Sequence, residues 1–280
     1  RPERAGRILS CACQAPTLRA MESLRRQIEK QVHSLTGASL GVLDLDQPRG
    51  DAGLFGPESM VWEVHADFSA MMVGGISALL LQMLHPLALA GVWDHSTFRQ
   101  DMLGRLRRTS LFIAGTTYGG LHDAEQLLDK VRRIHLQVVG HAPDGRPYAA
   151  SDPELLTWVH VSEVSQFLAG YLRYVDPQLP QAEQDRYYRE VALIAERLGA
   201  QDVPKSAQAI ADYLQRMRPQ LLCDARTREV VRLLYDAPMP SLLAKPFGGL
   251  MMQAGVDLLP DWASDLLGEH QAAWRRPLIR

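Results

Sequence analysis

Apolar residues recur with helical spacing along almost the whole chain, and signals for helix ends separate the segments. Asp152 followed by Pro153 is typical of a helix start, whereas Gly199 ends one helix and Pro204 begins the next. Alternating runs of Val, Ile and Thr, which would indicate strands, are missing. The predicted helices cover residues 21–37, 58–65, 68–92, 97–118, 121–141, 152–174, 180–199, 204–220, 224–236, 241–258 and 260–276.

One short stretch departs from this helical pattern. GHAPDGRPYAAS, residues 140–151, contains Asp144 directly before Gly145, a pair typical of a tight turn between two short strands. No internal repeat, low-complexity tract or Gly/Ser-rich linker divides the chain. The sequence therefore predicts one all-α domain, a helical bundle over residues 51–280, with residues 1–50 as a loosely attached N-terminal arm.

The longest uncharged run, residues 68–93, needs a membrane test. A bilayer requires about 20 apolar residues, so the length of the run is sufficient. Ser77 and Gln82 interrupt it, however, and Pro86 breaks it near its end. A helix that is apolar on all sides is also typical of the centre of a large helical core. We expect such a core helix, and no stable membrane insertion.

Composition narrows the class of protein without identifying a function. The 280 residues are ample for a sizeable core, and 46% hydrophobic with 22% charged residues is typical of a soluble globular protein. A net charge of −2 gives no reason to expect a nucleic-acid partner. Cys11, Cys13 and Cys223 form neither a disulfide framework nor a zinc pattern. Because no signal-peptide pattern is present, we expect a cytoplasmic location.

Standard nucleotide-binding and hydrolase signatures are absent: the chain has no P-loop, GxGxxG, GxSxG, HExxH or CxxC motif. The candidate chemistry therefore rests on histidines and arginines in apolar helical surroundings. His85 and His95 lie in the block that ends the uncharged run, and His135 and His160 lie on later helices. Since Pro86 breaks the helix between the first two, they need not share a face as a metal pair would. We expect both to be buried, hydrogen-bonded residues that fix the helix corner at Pro86 and the rim of a pocket.

Residues 101–120 combine cations with an apolar stripe. On a helix, Arg105, Arg108 and Thr109 share one face, and Phe112 continues it. This arrangement would place a cationic and hydroxyl cluster at one end of an apolar wall. The alternative is a helix start whose arginines simply point to water.

His135 shares its face with Val131 and Ile134, and Arg132 and Arg133 precede it. A histidine on an apolar face is usually a core residue whose nitrogens are hydrogen-bonded. The alternative is a metal or haem ligand, because imidazole is the usual nitrogen donor to iron. In that case Arg132 or Arg133 would be placed to bind a haem propionate.

His160 aligns with Leu156, Val164 and Phe167, so it too is expected to face the core. For this histidine a buried, hydrogen-bonded structural role is the preferred prediction.

Four blocks follow one another in an order that resembles the DUF2236 family, the oxygenase group that includes the fungal MpaB oxygenase and the latex-clearing rubber oxygenases. They are LLLQMLHPLALAGVWDHSTF, GRLRRT, IHLQVVGH and YAASDPELLTWVH, and the resemblance extends over roughly residues 55–270. It implies an all-α fold with a globin-like core around a b-type haem. It also implies cleavage of carbon–carbon double bonds in isoprenoid chains with dioxygen.

The resemblance places the predicted helix that carries Arg105 and Arg108 on the distal side of the haem. Rubber oxygenases carry an Arg, a Lys three residues on and a Thr next to it there, and Arg105, Arg108 and Thr109 match these positions. A guanidinium is always protonated and cannot ligate iron, so Arg108 in place of Lys excludes a Lys-capped resting haem. Arg105 and Thr109 would hydrogen-bond dioxygen, and Arg108 completes the catalytic set.

The same resemblance makes His135 the proximal iron ligand and the one metal-binding residue. Dioxygen and an apolar small molecule, isoprenoid-like or a natural product, are the expected substrates, and the uncharged helix would wall their pocket. The expected haem-binding residues are His135, Arg132, Arg133, His95, His160 and Phe112.

Three alternatives remain open from the sequence. One is a haem protein of the same fold with a non-oxygenase reaction, and another is a haem-binding or sensing protein without turnover. The third is non-haem iron held by some of the four histidines, although no neighbouring carboxylate completes a facial triad.

Overall fold

The fold is built almost entirely from helices, as the apolar spacing predicts. The structure, a computed structural model, describes residues 50–236 and 245–269. Strands β1 (Val139–His141) and β2 (Pro147–Ala149) pair antiparallel. Because the two strands have only three residues each and the other elements of the described residues are helical, the predicted all-α class is confirmed. The helices are α1 (Met60–Ala66), α2 (Phe68–Gln82), α3 (Pro86–His95), α4 (Met102–Tyr118), α5 (Leu121–His135), α6 (Pro153–Tyr174), α7 (Gln181–Leu198), α8 (Ala207–Met217), α9 (Ala225–Tyr235), α10 (Lys245–Leu258) and α11 (Asp261–Leu267).

Helices α2 and α6 cross at the centre of the fold with their backbones in close contact. A Cβ atom on Gly74 would lie 2.8 Å from the carbonyl oxygen of Gln166. One on Gly170 would lie 2.7 Å from the carbonyl oxygen of Ala70. The crossing therefore requires glycine at both positions. The buried Ser77 hydroxyl donates a 2.8 Å hydrogen bond to the Gln166 side chain, so the polar groups at the crossing have partners.

Two apolar clusters flank this central pair. The larger joins α2 and α6 to α3, α9, α10 and α11 around the fully buried Trp158, whose indole N–H also donates to the Gln82 carbonyl at 3.2 Å. The second joins α6 to α1, α7 and α8 around Tyr187. Among the described residues, α5 contributes to neither cluster, and α4 enters the larger one through Met102 and Leu106. The α4–α5 side is therefore the less tightly packed part of the fold.

The prediction of one helix over residues 68–92 is wrong at its C-terminal end. Helix α2 stops at Gln82 and α3 begins at Pro86. Proline suits the first helical position, and the preceding His85 caps the helix by accepting a 3.4 Å hydrogen bond from the Ala88 N–H. Within the described residues, no single helix is long and apolar enough to cross a membrane. Helices α1 and α2 reach that length together, but they meet at a bend of 93°.

Several other boundaries shift for similar local reasons. Helix α4 begins at Met102 instead of residue 97, because Asp101 caps it by accepting a 2.8 Å hydrogen bond from Gly104. Helix α5 ends at His135 instead of residue 141, since the chain continues into the hairpin predicted around Asp144 and Gly145. The predicted arm over 1–50, with its helix 21–37, and the predicted segments 241–244 and 270–276 lie outside the described residues, apart from Gly50.

Candidate functional site

Helices α4 and α5 form a hairpin joined by Gly119 and Gly120. The hairpin packs tightly at this connection, where Thr116 and Thr117 of α4 are fully buried. Asp51 holds the same end by accepting a 3.0 Å hydrogen bond from the Leu121 N–H. Away from the connection the two helices bury fewer residues, so the hairpin is open at the end that carries Arg105 and His135.

The C-terminal end of α3 links the two sides of this open end. Arg105 donates a 3.4 Å hydrogen bond to the Ser96 hydroxyl. The neighbouring His95 contacts the Val139 carbonyl oxygen through Nε2 at 3.2 Å, and Val139 begins β1 four residues after His135. The C-terminal end of α3 therefore contacts Arg105 through Ser96 and, through His95, the strand that follows His135.

His135 continues the inward-facing stripe of α5. It lies eleven residues after Ala124 and seven after Leu128, both of which are buried, so the three share a helix face. Its Nδ1 atom is buried and has no hydrogen-bond partner. Burial also lowers the pKa of the ring, which keeps the imidazole neutral. A neutral, unpartnered imidazole is the form that binds a metal.

The residues around His135 are not the core that the sequence predicts. Ile134 is 48% exposed, Leu136 is 61% exposed and Val139 is 55% exposed. Leu136 and Val139 are exposed because α5 ends at His135, before the end of the predicted helix. Ile134 instead lies on the exposed side of the last turn of α5. Arg132 and Arg133 are also exposed in the last turn of α5, free to extend toward a charged group.

Arg105 projects into apolar surroundings. It lies on the same face of α4 as Phe112 and the buried Thr116. Burial and the neighbouring charge of Arg108 lower the pKa of the guanidinium to about 10, so it remains a cation at neutral pH. It also lines a cavity of about 10 Å³, with room for one water molecule. The other residues around that cavity are Leu79, Met83, Val92, Phe98, Met102, Val230 and Leu234.

Arg108 and Thr109 lie toward solvent. Arg108 donates to the Thr97 hydroxyl at 3.3 Å and approaches Asp101 at 3.9 Å. The Thr109 hydroxyl donates to the Arg105 carbonyl at 3.2 Å. The prediction of solvated arginines therefore describes Arg108, whereas Arg105 is the cation that points inward.

One face of helix α6 points toward the α4–α5 hairpin. Phe167 of α6 packs edge-on against His65, with ring centroids 5.4 Å apart, and His65 Nδ1 lies 2.9 Å from the Thr117 hydroxyl of α4. His160 and Glu163 precede Phe167 on the same face. Within the described residues, no extensive packing joins α6 to α4 or α5. We call the space between α6 and the hairpin the inner gap.

A buried aromatic cluster closes one end of the inner gap. His65 Nε2 lies 3.1 Å from the Tyr187 hydroxyl, and both rings are buried. Burial lowers the pKa of His65 to about 3, so its ring stays neutral. The opposite end, near Arg105 and His135, is the open end of the hairpin. The inner gap thus lies between the paired side chains of His65, Thr117 and Tyr187 at one end and the open end of the hairpin at the other.

His160 and Glu163 are the polar groups along the α6 wall of the inner gap. His160 is buried, as the sequence predicts, and no group of the described residues hydrogen-bonds to its ring, so its hydrogen-bonded structural role stays a prediction. Burial lowers its pKa to about 4. Glu163 is partly accessible, yet the dense protein around it raises the carboxyl pKa to about 7. Sequence reasoning missed Glu163 as a site residue, although its position three residues after His160 was a usable signal.

Glu163 should make the stability of the protein depend on pH. Its pKa rises from 4.5 to about 7 on folding, so its unfavourable contribution is absent well below pH 4.5, grows between pH 4.5 and 7, and stays constant above 7. Relative to Glu163→Gln, the wild type should lose about 3 kcal/mol of unfolding free energy between pH 4.5 and 8. Urea denaturation across this range measures the difference. Glu154→Gln, at an exposed position of the same helix, is the control, and equal pH profiles for wild type and Glu163→Gln would contradict the burial of this carboxyl.

The four histidines do not converge on one point. His85 caps α3 and stacks on Trp158 with ring centroids 5.8 Å apart, whereas His95 is exposed and bonded to Val139. His85 is therefore the buried corner residue that the sequence predicts, and the same expectation for His95 is wrong. In the described part of the chain, no three His, Cys, Asp or Glu side chains are grouped as metal ligands. This arrangement does not support the non-haem iron alternative, which needs several ligands.

Comparison with known proteins agrees with this arrangement. The model of one protein family matches residues 62–280, which is most of the chain, and its description is ER-bound oxygenase mpaB/B′/rubber oxygenase, catalytic domain. The chain has no match among curated proteins and none among solved structures.

Proposed function

Because the chain belongs to the mpaB and rubber oxygenase catalytic-domain family, we propose that it is a b-type haem oxygenase that uses dioxygen on an apolar, isoprenoid-like or natural-product substrate. The observation that carries the haem assignment is His135. Its ring is neutral, its buried Nδ1 has no partner, and it lies on the inward face of α5 at the open end of the inner gap. A single protein ligand of this kind suits haem, because the porphyrin itself supplies the other nitrogen donors to the iron.

The surrounding side chains fit the remaining groups of a haem. His135 would hold the iron, and Arg132 and Arg133 are exposed cations in the turn that leads to it, within the reach of propionates. His95, at the open end, would contribute a further hydrogen bond there. The bound haem supplies the oxygen chemistry, and the chain supplies orientation, polarity and exclusion of water.

The α4 wall provides the polarity that dioxygen chemistry requires. Arg105 keeps a permanent positive charge in apolar surroundings, where a charge acts more strongly than in water. Phe112, two turns further along the same face, would contribute apolar surface for the substrate. Arg108 and Thr109 lie on the outer part of this face and would bind or admit substrate at the open end.

The proposal is tested first by the absorption spectrum of the purified full chain. A Soret band with one haem per chain supports haem binding, and a protein that stays colourless after haem is added contradicts it. Incubation with squalene under ¹⁸O₂, followed by mass spectrometry, then asks for labelled carbonyl products. A haem-loaded protein that incorporates no label would support the haem-binding or sensing alternative.

Arg105→Met should reduce kcat/KM about 100-fold while haem content stays unchanged, because one positioned donor in a water-excluded site is worth about that much. Steady-state oxygen consumption measures the rate, and the Soret band measures the haem. Arg232→Met is the matched control, since Arg232 is exposed and pairs with Glu229 at 2.6 Å on the surface. A rate within threefold of wild type, roughly the effect of a surface substitution, would rule out a role for Arg105.

A further inference from the structure

We propose that His160 and Glu163 form a polar subsite that binds the hydroxyl end of an otherwise apolar substrate. The inference rests on the proposed function and makes its substrate class narrower: an amphiphilic molecule with an uncharged, hydrogen-bonding end, rather than a pure hydrocarbon. The two residues lie three apart on α6, which places their side chains next to each other on the face that lines the inner gap.

The first argument is that both side chains lack partners. Within the described residues, neither His160 nor Glu163 forms a hydrogen bond or an ion pair. Other buried polar groups of the same region are paired: His65 contacts Thr117 and Tyr187 at 2.9 and 3.1 Å. Neither residue is among those with a fully buried, unpartnered polar atom, so the polar atoms of both side chains keep some accessible surface. A ligand group that enters the inner gap would supply the missing partners.

The second argument concerns the charge of that ligand group. A carboxylate or phosphate would be repelled by ionised Glu163, and the groups near it are the neutral His160 on the same helix and the neutral Tyr187 on α7. The same repulsion opposes placing a haem propionate beside Glu163. The bound end is therefore not an anion, which directs the propionates toward the arginines at the open end.

The third argument is the match of donors and acceptors. A neutral imidazole has one N–H donor and one acceptor nitrogen, and a carboxyl group with a pKa of about 7 both accepts and, when protonated, donates. A hydroxyl group also donates one proton and accepts through its oxygen, so it can satisfy both side chains at once. An ammonium group only donates and would leave the imidazole N–H unpaired.

The test compares two saturated probes, 1-dodecanol and its methyl ether, 1-methoxydodecane. They have similar apolar chains, but the ether cannot donate a hydrogen bond, and neither contains a double bond that could be cleaved. Binding to the haem-loaded full chain is followed by tryptophan fluorescence, because Trp158 lies on α6 two residues before His160. We expect the alcohol to bind about tenfold more tightly than the ether, as one to two hydrogen bonds permit.

Glu163→Met should reduce this preference to about twofold or less and leave the affinity for the ether unchanged, because Met keeps the length and removes the polar group. Glu163→Gln should retain an intermediate preference, and it serves as the test if the Met variant does not fold. Glu154→Met, at the exposed start of the same helix, should keep the full preference.

Equal affinity of the wild type for the two probes, or a preference that persists in Glu163→Met, would overturn the polar subsite. Either result would still allow an apolar chain to bind in the inner gap. Tighter binding of dodecylamine than of dodecanol would also overturn it, in favour of a cationic ligand. If neither probe binds although haem is present, the apolar substrate of the proposed function is wrong, and the subsite is wrong with it.

Discussion

His135→Ala is expected to lower the affinity of the protein for haem by more than about 100-fold, because side chains that only orient a metal ligand are already worth about 10- to 100-fold. The purified variant should therefore lack the Soret band of the wild type. The fold should persist, since His135 is only half-buried and lies at the end of α5, outside both large apolar clusters. Absorbance for haem and circular dichroism for helix content separate these two effects.

His122→Ala is the matched control for this experiment. His122 lies on the same helix, is exposed, and contacts Gln126 at 2.8 Å. Its removal should leave haem content unchanged. Free imidazole should partly restore the Soret band of His135→Ala by occupying the vacated space. A full complement of haem in His135→Ala would mean that another side chain binds the iron, with His160 the next to be replaced.

Gly170→Ala should have the largest effect on stability, a loss of about 3 kcal/mol in unfolding free energy and a decrease in Tm of roughly 6 to 12 °C. The added Cβ atom would lie 2.7 Å from the Ala70 carbonyl oxygen, so the backbones of α2 and α6 must move apart. That displacement would disturb the Ser77–Gln166 hydrogen bond at the same crossing. Thermal unfolding followed by circular dichroism measures the change.

The same substitution at another position, Gly249→Ala, should increase the stability of the protein instead of decreasing it. Gly249 lies on the exposed side of α10, and a Cβ atom there would meet nothing within 4 Å. The higher helix propensity of alanine should then raise stability by about 0.5 to 1 kcal/mol. If Gly170→Ala were as stable as Gly249→Ala, the close crossing of α2 and α6 would be wrong.

For the candidate site, the sequence could predict which residues share a face of one helix. The face shared by Arg105 and Phe112, and the inward position of His135, follow from helical periodicity alone. Whether a residue on such a face is buried depends on what the rest of the chain packs against it. For that reason the sequence could not distinguish inward Arg105 from solvated Arg108.

Glu163 shows most directly that burial could not be predicted from the sequence. Its sequence position says only that it lies one turn after His160 on a long helix, where a glutamate would ordinarily face water. The pKa is raised to about 7 because this part of α6 is surrounded by protein, with Tyr187 of α7 among the groups near the carboxyl. Burial depends on several distant segments at once, so the spacing of Glu163 from His160 indicates a shared helix face but not burial.

The sequence by itself determined the all-α class, the helix start at Asp152 and Pro153, the hairpin after α5 and the family. These properties depend on local propensities and on motifs that are contiguous in the chain. The helix start predicted at Pro204 is wrong, because Ser206 caps the helix and it begins at Ala207.

The tertiary structure alone decided that two glycines let α2 and α6 cross in contact, that Arg105 is partly buried where Arg108 is exposed, and that an inner gap separates α6 from the hairpin. Each of these depends on packing between residues far apart in sequence, where close approach and burial are set by all the neighbours together.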